Sequence, residues 1–176
     1  MYKLIFLIIC VLSALNADNL VLKEGKIQAH TEVFGDSSID PYTTNISSNI
    51  QFDNTISSIK GAVWFDSIKL VSDNLDRDKN MYELLNSQIN PKISFDFISI
   101  KKIDEQNYEI EGYLSLNKVS RKVKSIAKIK KEKEDIIFDG TFDINLTDFN
   151  LEPPTLLFLT VRDRIDVKYI LDFKAM

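Results

Sequence analysis

The chain has 176 residues, with 22 Lys and Arg against 26 Asp and Glu and a formal net charge of −4. One core of this size buries about two thirds of the unfolded chain's surface, so a single domain suffices, and the acidic balance argues against a general nucleic-acid binder. A single histidine and a single cysteine exclude a His-pair metal site, an intrachain disulfide and a metal held by several thiolates.

Residues 1–17, MYKLIFLIICVLSALNA, carry one positive charge at Lys3 and an apolar run from Leu4 to Leu12. That is the layout of a secretory signal peptide, here cut after Ala17. An uncleaved anchor is the alternative, but the run is well short of the roughly 20 residues that span a bilayer. Lipidation at Cys10 would need small residues where Ile8 and Ile9 stand. Export is expected, to the periplasm or the medium. Loss of Lys3 and Cys10 then leaves a mature chain of charge −5 with no thiol, so no Cys–His dyad. Residues 18–176 are interrupted by no repeat or low-complexity linker and are expected to form one domain.

His30 is the one candidate general base, beside Thr31 and Glu32, with no nucleophile and oxyanion hole suggested nearby. Asp36, Asp40, Asp73, Asp76 and Asp78 lack the glycine-containing spacing of a calcium loop and read as solvated charges, so no metal is expected. From Ser58 to Val71, Ile59, Gly61, Val63 and Phe65 share one parity and Ile68 and Leu70 the other. This predicts a strand with a bulge or kink near Asp66-Ser67.

Leu75 to Phe95 breaks the β pattern. Met81, Leu84, Leu85 and Gln88 follow at helical spacing, Asp78 is the candidate N-cap, and Pro91 is expected to stop the helix. The apolar stripe would make this helix a lid or plug on a sheet. Arg77 lies between Asp76 and Asp78. It is either a surface ion pair worth about 0–1 kcal/mol or a fork that holds a polar ligand head or clamps the helix to the barrel. The same two readings apply to Arg162 and Arg164, which flank Asp163.

Strands follow in series. Lys92 to Ser99 places Ile93, Phe95 and Phe97 together, and Tyr108 to Leu116 places Tyr108, Ile110, Gly112, Leu114 and Leu116 together. Gly112 leaves room for a ligand or a close backbone contact. Lys118 to Lys133 sets Lys122, Lys124, Lys128 and Lys130 opposite Val123, Ala127 and Ile129: a solvated outer face that discourages edge pairing, or a patch for transient contact with anionic headgroups. Ile136, Phe138, Phe142, Ile144 and Leu146 form one face around Gly140. Ile165, Val167, Tyr169, Leu171 and Phe173 form the last. Between these two, Leu156 to Leu159 after Pro153-Pro154 is either a buried strand or an apolar rim at a pocket entrance. Such alternation is an antiparallel signature. The expected fold is all-β with a short helix, an antiparallel barrel of about eight strands.

Several segments resemble the YceI-like family: Leu75-Asp76-Arg77-Asp78 with Met81, Leu84 and Asn90 to Phe95; Glu111 to Val123; Phe142 to Phe149; and Val161 to Val167. The chain departs from the family's pattern at Lys26 to His30, at Asn90 before Pro91, and at the turn Asn117-Lys118-Val119-Ser120. The resemblance implies a lipocalin-like barrel that binds a long isoprenoid or other amphipathic lipid, with no established catalytic residues and no cofactor apart from a bound isoprenoid quinone or similar lipid.

Parity and helical spacing nominate Phe95, Phe97, Leu114, Phe142, Ile144 and Tyr169 as lining one cavity and Met81 and Leu85 as closing part of it; Arg77, at the mouth of the helix, is the candidate polar contact if it turns towards the sheet. A filled barrel with no cavity is the competing reading. Strands of about nine residues rise roughly 30 Å, so a tunnel of that length would suit an extended chain. Rival functions are a small lipid- or ester-acting enzyme, and a structural or outer-membrane barrel without a ligand.

Overall fold

A computed structural model describes residues 18–33, 36–156 and 159–176. The expected leader and its cut after Ala17 lie outside the described residues. Eight strands close on themselves: β1 (Asp18–Val33), β4 (Ser47–Phe52), β5 (Lys60–Asp66), β6 (Lys92–Lys102), β7 (Asn107–Leu116), β8 (Val119–Glu132), β9 (Asp135–Asn145) and β12 (Arg164–Ala175). Each pairs antiparallel with its neighbour, and β1 returns to β12 along Leu20–His30. The short strands β2 (Asp36–Ile39) and β3 (Tyr42–Thr43) fold back on β1, and β10 (Thr155–Leu156) pairs with β11 (Leu159–Thr160) as a separate small hairpin. The fold is the antiparallel barrel of about eight strands that the alternation predicts, lipocalin-like as the family resemblance implies.

The two-residue parity decides which side chains point inward. On β7, Ile110, Gly112, Leu114 and Leu116 are buried; on β9, Ile136, Phe138 and Gly140 are buried; on β12, Val167, Leu171 and Phe173 are. The lysine-rich face of β8 points out as expected. Lys122 reaches Glu111 at 2.9 Å, and Lys124 reaches both Glu109 and Glu111, at 3.3 and 3.2 Å. These cross-strand pairs offset part of the basic patch, and the two lysines hold the Glu111 carboxyl below its usual range.

The inward residues do not fill the barrel evenly. At one end Ile50, Phe52, Ile110, Ile129, Ile136, Phe138 and Phe173 form a close-packed plug, with Phe138 and Phe173 edge to face at 5.7 Å. A second apolar cluster at the other end gathers Phe65, Leu70, Ile93, Leu114, Leu116 and Phe149. The plug stops any opening from running the full length of the barrel, as a tunnel would have to.

The helix α1 (Leu75–Leu84) covers the open end, but its limits differ from those expected. Its N-cap is Asn74, whose side-chain oxygen accepts from the N–H groups of Asp76 and Arg77 at 3.1 and 3.0 Å. Asp78 is instead buried within the first turn, where its carboxylate accepts from the Ser72 N–H at 2.9 Å and from the Ser72 hydroxyl at 2.6 Å. The helix also stops before Pro91. Asn86 takes the left-handed conformation, φ 51°, the Asn86 N–H donates to the Glu83 carbonyl, and that of Ser87 to the Tyr82 carbonyl. That is a Schellman ending with asparagine in the position glycine usually takes. Leu85 is the C-cap, and Gln88 lies beyond the helix.

The expected bulge at Asp66-Ser67 is the end of β5, which passes into a 3₁₀ turn at Ser67–Lys69. That turn lets the chain swing across the barrel mouth and buries Leu70 while Ile68 stays exposed. A bulge does occur on β6, between Phe97 and Ser99, and it restores Ile100 to the inner face. Asn90 and Asn117, at positions that depart from the family pattern, help to tie the lid down. Asn86 and Asn90 each donate to Asn117 Oδ1, at 3.1 and 2.8 Å, and Asn117 donates to the Phe149 carbonyl at 3.1 Å. Asn117 and Lys118 both have positive φ, 50° and 60°, as the two-residue turn between β7 and β8 requires.

Candidate functional site

Above the plug the barrel opens into a cavity of ≈ 910 Å³, at the upper end of the roughly 300–1,000 Å³ of ligand pockets. Its wall brings together every residue nominated from the sequence. Phe95, Phe97, Leu114, Phe142, Ile144 and Tyr169 come from four different strands, and Met81, Leu85 and Arg77 come from the lid. Ring contacts run along this wall, Phe97 to Phe95 at 5.0 Å, Phe95 to Phe142 at 6.5 Å and Phe142 to Tyr169 at 6.3 Å. Arg77, Asp76, Asp78, Asn80 and Glu83 add polar groups where the helix meets the cavity.

Two glycines shape this wall by making way for aromatic rings. A Cβ on Gly112 would stand 2.2 Å from the Phe95 ring, so the space over Gly112 belongs to a side chain and not to a ligand. A Cβ on Gly140 would stand 2.4 Å from the Tyr169 ring and hydroxyl. Tyr169 therefore lies across β9 and reaches Ser125 on β8, oxygen to oxygen at 2.8 Å. Burial pushes the Tyr169 phenol up to about 12, so it keeps its proton at any physiological pH.

Several lining residues lie outside the nominated set. Ile27, Ala29, Thr31 and Val33 of β1 line the cavity, but the polar Thr31 in this row and the register shift beside it obscure the period-two signal in the sequence. Ser125 was legible as the one polar residue in the Val123, Ala127, Ile129 row. Ile39 and Pro41 line the cavity from a segment too short and mixed to announce itself. Beyond Pro154, Thr155 and Val161, which reach the wall, the run Leu156 to Leu159 has its side chains outside the described residues.

His30 also lines the cavity. Its Nδ1 stands 2.8 Å from Asp40 Oδ1 and its Nε2 3.4 Å from Glu32 Oε1, so both ring nitrogens face carboxylates. The Asp40 hydrogen bond, more than that to Glu32, raises the imidazolium above its ordinary value of 6.5. A histidine raised in the folded state adds stability that is complete below about pH 6.5 and lost as pH climbs through the raised value. Urea unfolding of wild type should therefore show a small extra stability at pH 5.5 over pH 8.5, at most about 1 kcal/mol for an exposed pair, which His30→Gln removes. Equal pH dependence in both proteins would show that the contact contributes nothing.

Arg162 and Arg164 face Asp166, Arg164 Nε at 3.0 Å, and Arg164 also reaches Asp143 at 3.3 Å. Burial alone would raise the Asp166 carboxyl, but the two guanidinium groups outweigh it and hold it below its usual range. Asp163 accepts from the Thr147 hydroxyl and N–H at 2.7 and 3.0 Å. Of the two readings of these arginines, the ion pair is the one seen. Among the described residues no group of His, Cys, Asp and Glu is arranged to hold a metal ion, and no helix is long and apolar enough to cross a membrane.

A closed eight-stranded barrel with an apolar cavity under a helical lid defines the class. Residues 21–173 match the model of the YceI-like domain, and the chain belongs to that family. BcnA of Burkholderia cenocepacia superposes with a TM-score of 0.74 at 15% identity, covering 84% of this chain and 95% of BcnA. The YCEI protein of Campylobacter jejuni superposes at 0.66 with 22% identity, over 80% of this chain and 86% of its own. A polyisoprenoid binding domain from Saccharophagus degradans, implicated in plant cell wall breakdown, superposes at 0.62 with 9% identity, over 91% of this chain and 99% of its own. No curated protein sequence matches the chain.

Proposed function

We propose that the protein is an exported binding protein that shelters one long isoprenoid or other amphipathic lipid chain and does no chemistry on it. The observation that carries this is the cavity, a deep apolar space open at the lid end and closed by a packed plug at the other, in a fold shared with a domain described as polyisoprenoid-binding. An extended hydrocarbon gains about 0.8 kcal/mol for each CH₂ taken from water, so such a wall favours length and apolarity over any particular polar pattern. The lid supplies the polar contacts through Arg77 and its acidic neighbours. Leu75, between the lining residues Asn74 and Asp76, is 78% exposed and gives the mouth an apolar edge suited to brief contact with a membrane surface.

The rival functions need features for which there is little support. A hydrolase would need a nucleophile held by His30, whose nitrogens both face carboxylates. A lipid-embedded barrel carries its apolar band outside, whereas here Lys122, Lys124, Asp139 and Asp143 face out and the apolar residues face in.

Native mass spectrometry of freshly exported protein, followed by extraction of any bound lipid, tests the reading. The expected result is a protein beginning at Asp18 with one long-chain lipid per chain. Lipid-free protein that also takes up no added long-chain ligand would overturn it. Turnover of an added ester, lost in His30→Ala, would turn the reading toward an enzyme.

A further inference from the structure

The inner part of the cavity wall carries a polar pair, Ser125 and Tyr169, among apolar neighbours. Ser125 is 2% exposed, and its hydroxyl has one proton, which it donates to the Thr141 carbonyl at 2.9 Å. The 2.8 Å contact with Tyr169 must then run the other way, with the phenol donating to Ser125 Oγ. Both protons are used within the wall. What remains on the pair is acceptor capacity, and of the two residues Tyr169 is the less buried and lines the cavity, whereas Ser125 is 2% exposed.

The arrangement depends on small residues at paired positions. Tyr169 stands opposite Gly140 on β9, and Gly140 stands opposite Ala127 on β8. A Cβ at Gly140 would approach the Ala127 Cβ to 2.8 Å as well as striking the phenol. Only with this gap can the ring lie flat across β9 and bring its hydroxyl to Ser125. A phenylalanine would fill the same space without the hydroxyl, so volume alone does not account for a tyrosine here.

We infer that the cavity accepts a chain whose buried end carries a hydrogen-bond donor, a long-chain alcohol or a phenol, with that hydroxyl donating to the Tyr169 oxygen. This rests on the reading of the protein as a binder of one long chain, and it adds which end goes in and what that end bears. A ligand carbonyl or ether offers only an acceptor. To meet it, Tyr169 would have to withdraw its proton from Ser125, exchanging one bond for another with no gain. A hydroxyl adds a bond and breaks none, a preference of roughly three- to tenfold for one neutral hydrogen bond.

The test compares 1-hexadecanol with its methyl ether, each displacing diphenylhexatriene from the purified mature protein. Wild type, Tyr169→Phe and Ser125→Ala are measured, and the quantity read is the ratio of ether to alcohol Kd. The difference in hydration between the two probes is common to all three proteins and cancels in the comparison. Tyr169→Phe should lower the ratio roughly three- to tenfold through weaker alcohol binding. Ser125→Ala should lower it by a similar factor through tighter ether binding, since the phenol then has a proton to give. A purely structural role for the pair would weaken both probes alike and leave the ratio unmoved, which overturns the inference while leaving chain binding intact. Failure of both probes to bind wild type would overturn both, and binding of the ether as tightly as the alcohol, unchanged by either substitution, would overturn the inference alone. Should Tyr169→Phe not fold, Ser125→Ala decides alone.

Discussion

Gly61→Ala should cost about 3 kcal/mol or more, the largest loss expected of any single methyl group in this barrel. Two independent penalties meet at this position. Gly61 has φ +110°, a region that residues with a side chain rarely adopt, and a Cβ there would lie 1.9 Å from the Asn49 carbonyl oxygen and 3.2 Å from the Ile50 Cα. The obstructing atoms are backbone of β4, held by its ladder to β5, so no side-chain rotation can relieve the contact. Gly140→Ala is the natural comparison, because its Cβ meets the Tyr169 side chain and the Ala127 methyl, and the tyrosine can swing into the cavity. Urea unfolding at neutral pH should show a large fall in midpoint with unchanged slope for Gly61→Ala, and a smaller one for Gly140→Ala. A midpoint for Gly61→Ala within about 0.5 kcal/mol of wild type would mean that β4 and β5 separate freely at this edge.

The strands that were easy to read are those with one wet and one dry face. β7, β9 and β12 alternate without interruption, and because period-two parity survives any choice of strand ends, the inward residues followed from the sequence. β1 and β4 were harder. β1 pairs with four other strands along its length and carries register shifts near Leu22 and Thr31, so its polar and apolar residues do not sort into one clean row. The lid's stripe was legible, but its limits were not. Asn74 and Asp78 are both able to cap, and the choice fell to Asn74 because Ser72 occupies the Asp78 carboxylate. Asn86 ended the helix early by adopting a conformation that asparagine tolerates and that no sequence pattern demanded.

The division of the interior into a plug and a cavity was not legible, and the physical reason is that parity reports the face and not the depth. Ile110 and Leu114 sit on the same side of the same strand. Yet Ile110 is packed among the plug residues and Leu114 borders open space. Whether a large apolar residue fills a gap or leaves one depends on what five or six other strands place opposite it. Gly112 and Gly140 made the same point in reverse, since the space each glycine leaves is taken by a neighbouring ring.

Leu114→Trp should abolish most long-chain binding and change stability little, whereas Ile110→Trp should do the opposite. Leu114 pairs with Phe95 across β6 and borders the cavity. An indole there extends into space that a ligand tail would occupy, and displacing three methylenes costs about 2.4 kcal/mol at about 0.8 for each, roughly fiftyfold in Kd. Ile110 is 1% exposed inside the plug. The same enlargement must push apart close-packed side chains, which typically costs about 1–3 kcal/mol. The two substitutions share a strand, a face and a chemistry, so differences in β propensity or hydrophobicity largely cancel, and only the emptiness of the site distinguishes them. Displacement of diphenylhexatriene by 1-hexadecanol reads binding, and urea unfolding reads stability. Equal loss of stability in both variants, with binding retained by whatever fraction of Leu114→Trp remains folded, would mean that the space beside Leu114 takes no ligand.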